Sequence, residues 1–477
     1  MLRKRNKSFI WFIPFLILIF VTLACASSVT EKLQDSVSPT EESQTESETS
    51  SSLDEAPTET ARIEPTEVLT EEPTEEPTEA PTVTPTKEIQ KLELVKQGFG
   101  QDDSFGSYAF ILENPNQNSS INNSKFQVAI YDANDTILTT DSGYIDVILP
   151  GQILGIAGDL YLDEGQVISK IEVQIKDGDP ENADPMPTFE TSNINYFIGD
   201  YFSYVTGEIN NPYGIDLTDL RVSAILFDVA ENIIGGGYTY LDFILANTST
   251  GISILMEDYG DVNSIEIYPI ISGWTFFESD SEKPEDAASL SLTKFGLGND
   301  AYGTGYGFLV ENPNSNYALE ESQYHVTGYS ADGSVLCTDE GYINLIFPNQ
   351  ILGIGGDLYP ASDAVLDYIE IQIKDGKFVE SEIVPFFTAE NAQFINDAYF
   401  PKVTGTIVNP YTSDISDLIV NAIAYNEAGD IIGGGYTYID FILAGGKTAA
   451  EVSITVSDVP ASVELYATFS YLSAFEN

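Results

Sequence analysis

The chain is short of the residues that most enzymes and nucleic-acid binders depend on. Of its 477 residues, two are cysteine and one is histidine. Two cysteines cannot build the disulfide framework of a small secreted scaffold. One histidine supports neither a zinc site nor a nucleophile–histidine–acid triad. Lysine and arginine number 19 against 75 acidic residues, a formal net charge of -56. That sign repels phosphate backbones, so nucleic acid is excluded as a partner, and so is electrostatic docking on anionic lipid. The apolar run near the N-terminus, Phe9 to Val21, is only 13 residues long, short for a comfortable membrane helix. No stretch holds an apolar 3.6-residue period for three turns. What remains is a strongly acidic β-type sequence with an unusual beginning.

Arg3, Lys4, Arg5 and Lys7 precede the apolar run, and Thr22-Leu23-Ala24-Cys25 follows it. A basic start, a short apolar core and a small residue at the cut read as a secretory signal. The cysteine directly after Ala24 resembles the lipobox of bacterial lipoproteins, although Thr22 stands where leucine is usual. The resemblance implies that Cys25 is the lipid-attachment residue and that residues 1–24 are removed. An uncleaved anchor from Phe9 through Ala26 is the other reading. Both place the rest of the chain outside the cytoplasmic membrane, with the N-terminal lipid or anchor holding it to the envelope.

Residues 25–88 are dominated by Ser, Thr, Glu and Pro, with Pro73, Pro77, Pro81 and Pro85 recurring every four residues. Such a segment buries too little apolar surface to offset its conformational entropy, and reads as a disordered stalk. Its reach lies between roughly 45 Å for a flexible coil and about 195 Å for full polyproline extension.

From residue 89 the sequence repeats. Asn-Pro falls at 114–115, 211–212, 312–313 and 409–410, and the two-repeat period is 198 residues. Odd repeats share a segment, Gly143–Tyr161 against Gly341–Tyr359, and even repeats share another, Ile233–Ala246 against Ile431–Ala444. The expected domains are 89–178, 188–278, 289–376 and 385–477, arranged as a duplicated pair. Short segments rich in Val, Ile, Tyr and Phe, broken by Gly, Asn, Asp and Pro, read as strands. In the second repeat these are 189–198, 203–210, 219–228, 232–245, 251–256 and 264–271. Six or seven strands in about 90 residues is the scale of an immunoglobulin-like β-sandwich. The fold class expected is therefore all-β, with four tandem immunoglobulin-like β-sandwich repeats after a signal peptide and stalk. The acidic stretch Ser279–Glu285 reads as a linker between two units, 89–278 and 289–477.

Ile130-Tyr131-Asp132, Leu226-Phe227-Asp228 and the turn Leu149-Pro150-Gly151 resemble the motif of the FxLYD domain family, small extracytoplasmic sandwiches found on lipoproteins. The leading Phe is replaced by Val128 and Ala224, and repeats three and four keep only Tyr329 and Tyr425 of the Tyr-Asp pair. The resemblance implies a fold and an extracytoplasmic setting. It carries no catalytic residues.

One strand recurs in all four repeats with a Tyr and a second polar residue on one face: Tyr144/Asp146, Tyr240/Asp242, Tyr342/Asn344 and Tyr438/Asp440. Tyr beside a carboxylate on an exposed sheet is a candidate ligand face for sugar or cation; a solvated face with cross-strand packing is the plain alternative. Asp159 and Asp357, each after Gly, are the candidate loop ligands for a metal such as Ca²⁺; otherwise no cofactor is expected. Gly235–Gly237 and Gly433–Gly435 lack the following helix that a phosphate cradle needs, and instead predict a bulge or the close approach of another backbone. His325 aligns with Gln127, Ser223 and Asn421, which predicts a solvent-side strand position. Cys337 aligns with Thr139, Gly235 and Gly433 and reads as a small filler. The function expected is that of a non-catalytic, surface-anchored envelope spacer or binding module, with a carbohydrate-binding adhesin as the alternative. Its partner would be an extracellular glycan or protein. Replacing Cys25 with Ser is expected to release the protein from membranes or leave an uncleaved precursor. Unchanged membrane partition with unchanged mature mass would overturn the lipid-anchor reading.

Overall fold

A computed structural model describes residues 89–477 apart from 200–201, 273–274, 276–282, 302, 361–363, 383, 398, 474 and 477. Cys25, the signal segment 1–24, the stalk 25–88 and most of the expected linker Ser279–Glu285 lie outside the described residues.

Every regular element among the described residues is a strand, and each repeat folds into two antiparallel sheets, A and B. In repeat 1, β1 (Glu93–Asp102) and β5 (Ile153–Tyr161) flank β2 (Phe105–Glu113) as sheet 1A. Sheet 1B has β3 (Ser119–Tyr131) between β4 (Ile137–Ile148) and β6 (Lys170–Lys176), with β7 (Asp179–Asn182) also pairing β3. Repeat 2 places β9 (Ser203–Asn210) between β8 (Glu190–Ile198) and β12 (Ser249–Met256) as 2A. Its 2B has β10 (Leu217–Phe227) between β11 (Ile233–Ile244) and β13 (Ser264–Ile270). Repeat 3 has 3A from β14 (Ser291–Asn299), β15 (Thr304–Glu311) and β18 (Ile351–Leu358). Its 3B has β16 (Tyr317–Tyr329) paired with β17 (Val335–Ile346), β19 (Tyr368–Lys374) and β20 (Lys377–Glu380). Repeat 4 has 4A from β21 (Thr388–Ile395), β22 (Lys402–Val408) and β25 (Lys447–Ser453). Its 4B has β23 (Asp414–Tyr425) paired with β24 (Ile431–Ile442), β27 (Ser462–Phe469) and β28 (Phe475–Glu476), and β24 pairs β26 (Thr455–Val456). The chain is all-β, four tandem immunoglobulin-like β-sandwiches.

Period-two alternation explains each core. On β3, Phe126, Val128 and Ile130 point inward to meet Tyr108, Phe110 and Leu112 of β2, while Gln127 points out. The second repeat repeats this with Val222, Ala224 and Leu226 over Val205 and Ile209. Cys337 is a buried, free thiol in the third core, pushed up to about 12 by burial and by Asp339, which suits filler and not nucleophile.

The recurring Asn-Pro is a keystone. Asn114 Nδ2 donates to the carbonyls of Ser119, Ile148 and Leu149 at 2.9, 3.2 and 2.9 Å. Asn211 does so to Ile215, Ile244 and Leu245, Asn312 to Tyr317, Ile346 and Phe347, and Asn409 to Ser413, Ile442 and Leu443. Each Oδ1 accepts the N–H two residues on. One buried amide thus ties the end of the A-sheet centre strand to both ends of a B-sheet hairpin.

The sandwiches stack face to face. Sheet 1A packs on 2B, 2A on 3B, and 3A on 4B, giving the layer order 1B–1A–2B–2A–3B–3A–4B–4A. Within each pair the contact is apolar: Ala109, Ile111 and Ala157 meet Ile225, Phe227 and Ile233, and Leu309 meets Ile423, Tyr425 and Ile431. Glycine lets the backbones approach. A Cβ on Gly434 would lie 2.5 Å from Tyr306 O, and one on Gly236 would lie 2.6 Å from Ala224 O and 2.9 Å from the Ala157 methyl. Gly433 also has φ 141°, which side chains rarely adopt. The triple glycines therefore serve the close approach that the sequence predicts.

The two expected units, 89–278 and 289–477, touch each other: 2A and 3B share a polar interface, and the described residues from 89 on form one compact unit. Thr206 Oγ1 donates to Val335 O at 2.6 Å, Asn193 Nδ2 to Gly333 O at 2.6 Å, and Gln372 Nε2 to Ser249 O at 2.7 Å. His325, expected to face solvent, is 3% exposed in this interface. Its Nε2 lies 3.0 Å from Gly251 O and its Nδ1 3.6 Å from Glu340. The polar column is solvent-facing only at Gln127, in the terminal sheet; Ser223, His325 and Asn421 are covered by the preceding repeat.

Asn211→Ala removes one donor from three carbonyls in a place water does not reach. Leaving such groups unpaired costs about 2–4 kcal/mol together. Urea unfolding or amide exchange of the second repeat measures this, and a loss under about 0.5 kcal/mol would contradict the keystone role.

Candidate functional site

The recurring Tyr strand is the outer strand of sheets 1B, 2B and 3B, as β4, β11 and β17; in 4B its equivalent β24 is bordered only at Gly433 and Gly434, by the two-residue β26. Its tyrosines therefore line the sides of the stack. Tyr144 is 67% exposed, with Lys125 Nζ 4.7 Å above its ring, and Asp146 stands beside it on the same strand. Tyr240 is exposed and meets Tyr238 edge-on at 5.9 Å. Asp242 is half-buried, and the Tyr342 hydroxyl of the next repeat hydrogen-bonds its carboxylate. Burial and Glu340 raise the Asp242 carboxyl above the ordinary range. Asp440 is exposed and lies apart from the cleft described next.

The second pair brings three of the predicted residues into one place. Tyr342, Asn344 and Tyr438 line a cleft of about 720 Å³ between repeats 3 and 4. The β16–β17 hairpin contributes Glu321, Gln323, Tyr324, Asp339, Glu340 and Gly341; the facing wall comes from β18, β23, β24 and β27, with Ile354, Gly355, Ile419, Asn421, Tyr436 and Thr468. Tyr471 and Lys374 complete it. The walls are held together across the repeats: Thr468 Oγ1 donates to Leu345 O at 3.3 Å and Asn344 Nδ2 to Phe469 O at 3.4 Å. Gln323 Nε2 donates to the Tyr342 hydroxyl at 3.1 Å, and Tyr436 meets Tyr438 edge-on at 5.8 Å.

The cleft is acidic and aromatic. Tyr306, buried beneath it, donates to Asp339 Oδ2 at 2.6 Å. Burial nevertheless holds the Asp339 carboxyl above its usual range. Asp357 is raised as well, by burial first and then by Asp339, while Thr455 pulls it down. Tyr324 and Tyr436 are both pushed up by burial. Asn421 is 2% exposed; its Oδ1 accepts the Gly355 N–H at 3.1 Å, and its Nδ2 has no partner.

Sequence reasoning missed Tyr324, Asp339, Tyr436, Tyr471 and Asn421. Tyr436 was within reach, since it lies two residues before Tyr438 on the same strand face. The others belong to the cleft only through the contact of two repeats. A smaller hollow of about 140 Å³ joins Tyr240, His325 and Glu340 between repeats 2 and 3.

The metal expectation finds no cluster. Among the described residues no three His, Cys, Asp or Glu side chains gather in a way that could hold a metal ion. Asp159 and Asp357 end equivalent edge strands, and each faces a different partner: Arg221 lowers Asp159 against the raising effect of burial, and Thr455 Oγ1 donates to Asp357 at 3.4 Å.

No family model matches the chain, and no curated protein matches it. Among solved structures, the native conformation of E. coli alpha-2-macroglobulin is similar at 9% identity, with a TM-score of 0.12, over 79% of this chain. This chain spans 28% of that one.

Asp339→Asn tests the electrostatics. A carboxyl whose folded pKa is raised costs stability when ionised, so the wild type gains from this group as pH falls from neutral through the raised value. The amide keeps an acceptor for Tyr306 and removes the buried charge. The variant is expected to melt above the wild type at pH 7 and to lose that advantage near pH 4. An equal difference at both pH values would contradict a desolvated carboxylate.

Proposed function

We propose that this protein is a non-catalytic, lipid-anchored envelope protein whose stacked repeats form a binding module, with its partner seated in the cleft between repeats 3 and 4. The observation that carries this reading is the cleft itself, where five tyrosines from two repeats surround Asp339 and Glu340. Concave sites that combine apolar rings with a few converging polar groups are where ligands concentrate. The signal-like N-terminus, the stalk and the resemblance to FxLYD domains support a place outside the cytoplasmic membrane. The stalk supplies reach, and the repeats supply the site.

A second reading, a carbohydrate-binding adhesin, is favoured by the exposed Tyr342 and Tyr438 rings. Such rings offer a flat apolar face beside a hydroxyl, which suits a sugar. The full chain in detergent, applied to arrays of glycans and of peptides, tests the proposal. Binding that falls at least tenfold in a Tyr436→Ala/Tyr438→Ala variant supports a cleft-based module. Binding unaffected by those changes overturns the cleft as the site, and none on either array favours a spacer.

A further inference from the structure

The two pairs are copies, yet they differ at one wall of this cleft. Under the 198-residue period, Ile419 of β23 corresponds to Arg221 of β10. In the first pair the Arg221 guanidinium sits over the Tyr238 ring, 4.4 Å from its centre, and donates to Ala157 O at 2.6 Å. Its charge favours the ionised forms of Tyr108 and Asp159, pulling their pKa values down against the burial that raises both. The counterparts of Ala157, Tyr238, Tyr108 and Asp159 are Gly355, Tyr436, Tyr306 and Asp357. Gly355 and Tyr436 line the open cleft. Asp357 there feels Asp339 in place of an arginine. The first pair therefore carries its own guanidinium where the second pair has a cavity.

From this we infer that the cleft between repeats 3 and 4 binds a guanidinium group, held as Arg221 is held in the first pair. The inference rests on the binding-module reading. The Tyr436 ring takes the planar cation face-on, the Gly355 carbonyl accepts one of its N–H groups, and Asp339 and Glu340 supply the opposite charge. Glu340 stands where the first pair has Ser142, so the second cleft has an acid that the self-plugged one lacks. Lys374 at the rim, itself engaged, is outnumbered by Glu321, Asp339 and Glu340. The unpartnered Asn421 Nδ2 is independent of charge. Its orientation is fixed by the bond from Gly355 N–H to Oδ1, so a buried donor lacks an acceptor. A ligand that combines a guanidinium with a nearby carbonyl or hydroxyl oxygen satisfies both needs. An arginine residue of an extended peptide has both, and so does a small arginine derivative.

The test is calorimetric titration of the detergent-solubilised full chain with N-acetyl-argininamide, with N-acetyl-citrullinamide as the neutral isostere and an arginine-containing pentapeptide as a third probe. The expected result is one site per chain for the arginine probe, at least tenfold tighter than for citrulline. Tighter binding of the pentapeptide identifies a protein partner; equal binding identifies a small arginine derivative. Ile419→Arg, which copies the first pair, should plug the cleft and weaken binding at least tenfold. Arg221→Ile should open the first cleft and bring the stoichiometry to two sites. This second variant keeps the test decisive if Ile419→Arg fails to fold. Equal affinity for arginine and citrulline, or no arginine binding, overturns the inference. If neutral glycans still bind in a Tyr436/Tyr438-dependent way, the binding module stands without it. If no probe binds and the arrays are blank, both readings fall.

Discussion

The structure depends on how closely the backbone of one repeat can lie on the next. An ordinary sandwich presents its outer faces to water. Here the outer face of each A sheet is small or flat enough to receive a B sheet, because Gly98, Gly100, Ala109, Gly155 and Ala157, with Gly236 opposite, leave no side chain in the way. The third and fourth repeats meet through Gly296, Gly305, Gly307, Gly355 and Gly434. A β-branched residue at Gly434 or Gly236 would collide with a carbonyl oxygen, and overpacked interfaces relax only at a cost of about 1–3 kcal/mol. Close stacking turns the polar column of the B sheets into interface residues, and it brings the side strands of adjacent repeats near enough to form a cleft.

This explains what could be read from the sequence and what could not. Strands follow from local alternation, and those expected in the second repeat match the observed ones to within about two residues, the usual uncertainty of strand ends. The triple glycines announced a bulge or a close backbone approach, and both occur: the register shifts opposite Gly235 between Leu226 and Phe227, and Gly236 lies close to Ala157 and Ala109. His325 was misplaced because its environment is set by a different repeat. Alignment with Gln127, Ser223 and Asn421 identified a polar column correctly, but polarity alone does not separate water from the backbone of a neighbour. Ser223 and Asn421 face Ala157 N–H and Gly355 N–H, and His325 faces Gly251 O. Each completes a hydrogen bond on an edge strand that would otherwise be buried unpaired. The tyrosine face was legible as a pattern, while its gathering into one cleft needed the register of repeat 3 on repeat 4.

The two kinds of interface have different chemistry. Within a pair, Ala109 and Ile111 on β2, and Gly307 and Leu309 on β15, present an apolar surface. Between pairs the corresponding positions on β9 are Thr206 and Glu208, and they work by hydrogen bonding to Val335 O and the Tyr329 hydroxyl. Apolar burial is roughly proportional to area and tolerates small shifts. Hydrogen bonds fix register but lose their value when geometry slips. The pairs are thus glued internally and indexed against each other. The cleft lies between repeats of the same pair, where the walls are set by the less directional contact and pinned by Thr468 and Asn344.

The outer faces of 1B and 4A correspond to faces that are covered inside the stack, and they differ from those faces in charge. Sheet 4A corresponds to 2A, which is covered by 3B. Yet Lys402, Glu451, Lys447 and Glu390 stand in 4A where 2A has Tyr204, Ser253, Ser249 and Ser192. They form ion pairs across the terminal face, Lys402 with Glu451 at 2.9 Å and Lys447 with Glu390 at 2.6 Å. At the other end, Lys170 stands in 1B where 3B has Tyr368. In 3B, Tyr368 stacks on Tyr329 at 4.8 Å beside the buried interface; in 1B, Lys170 pairs with Glu172 at 2.6 Å and covers the Tyr131 ring at 5.0 Å. Exposed ion pairs add little stability, but covering them with another sheet would strip their water, which is costly. Substituting charge for hydroxyl and ring therefore makes the outer faces of 1B and 4A poorer surfaces for a further sheet than the faces of 3B and 2A to which they correspond.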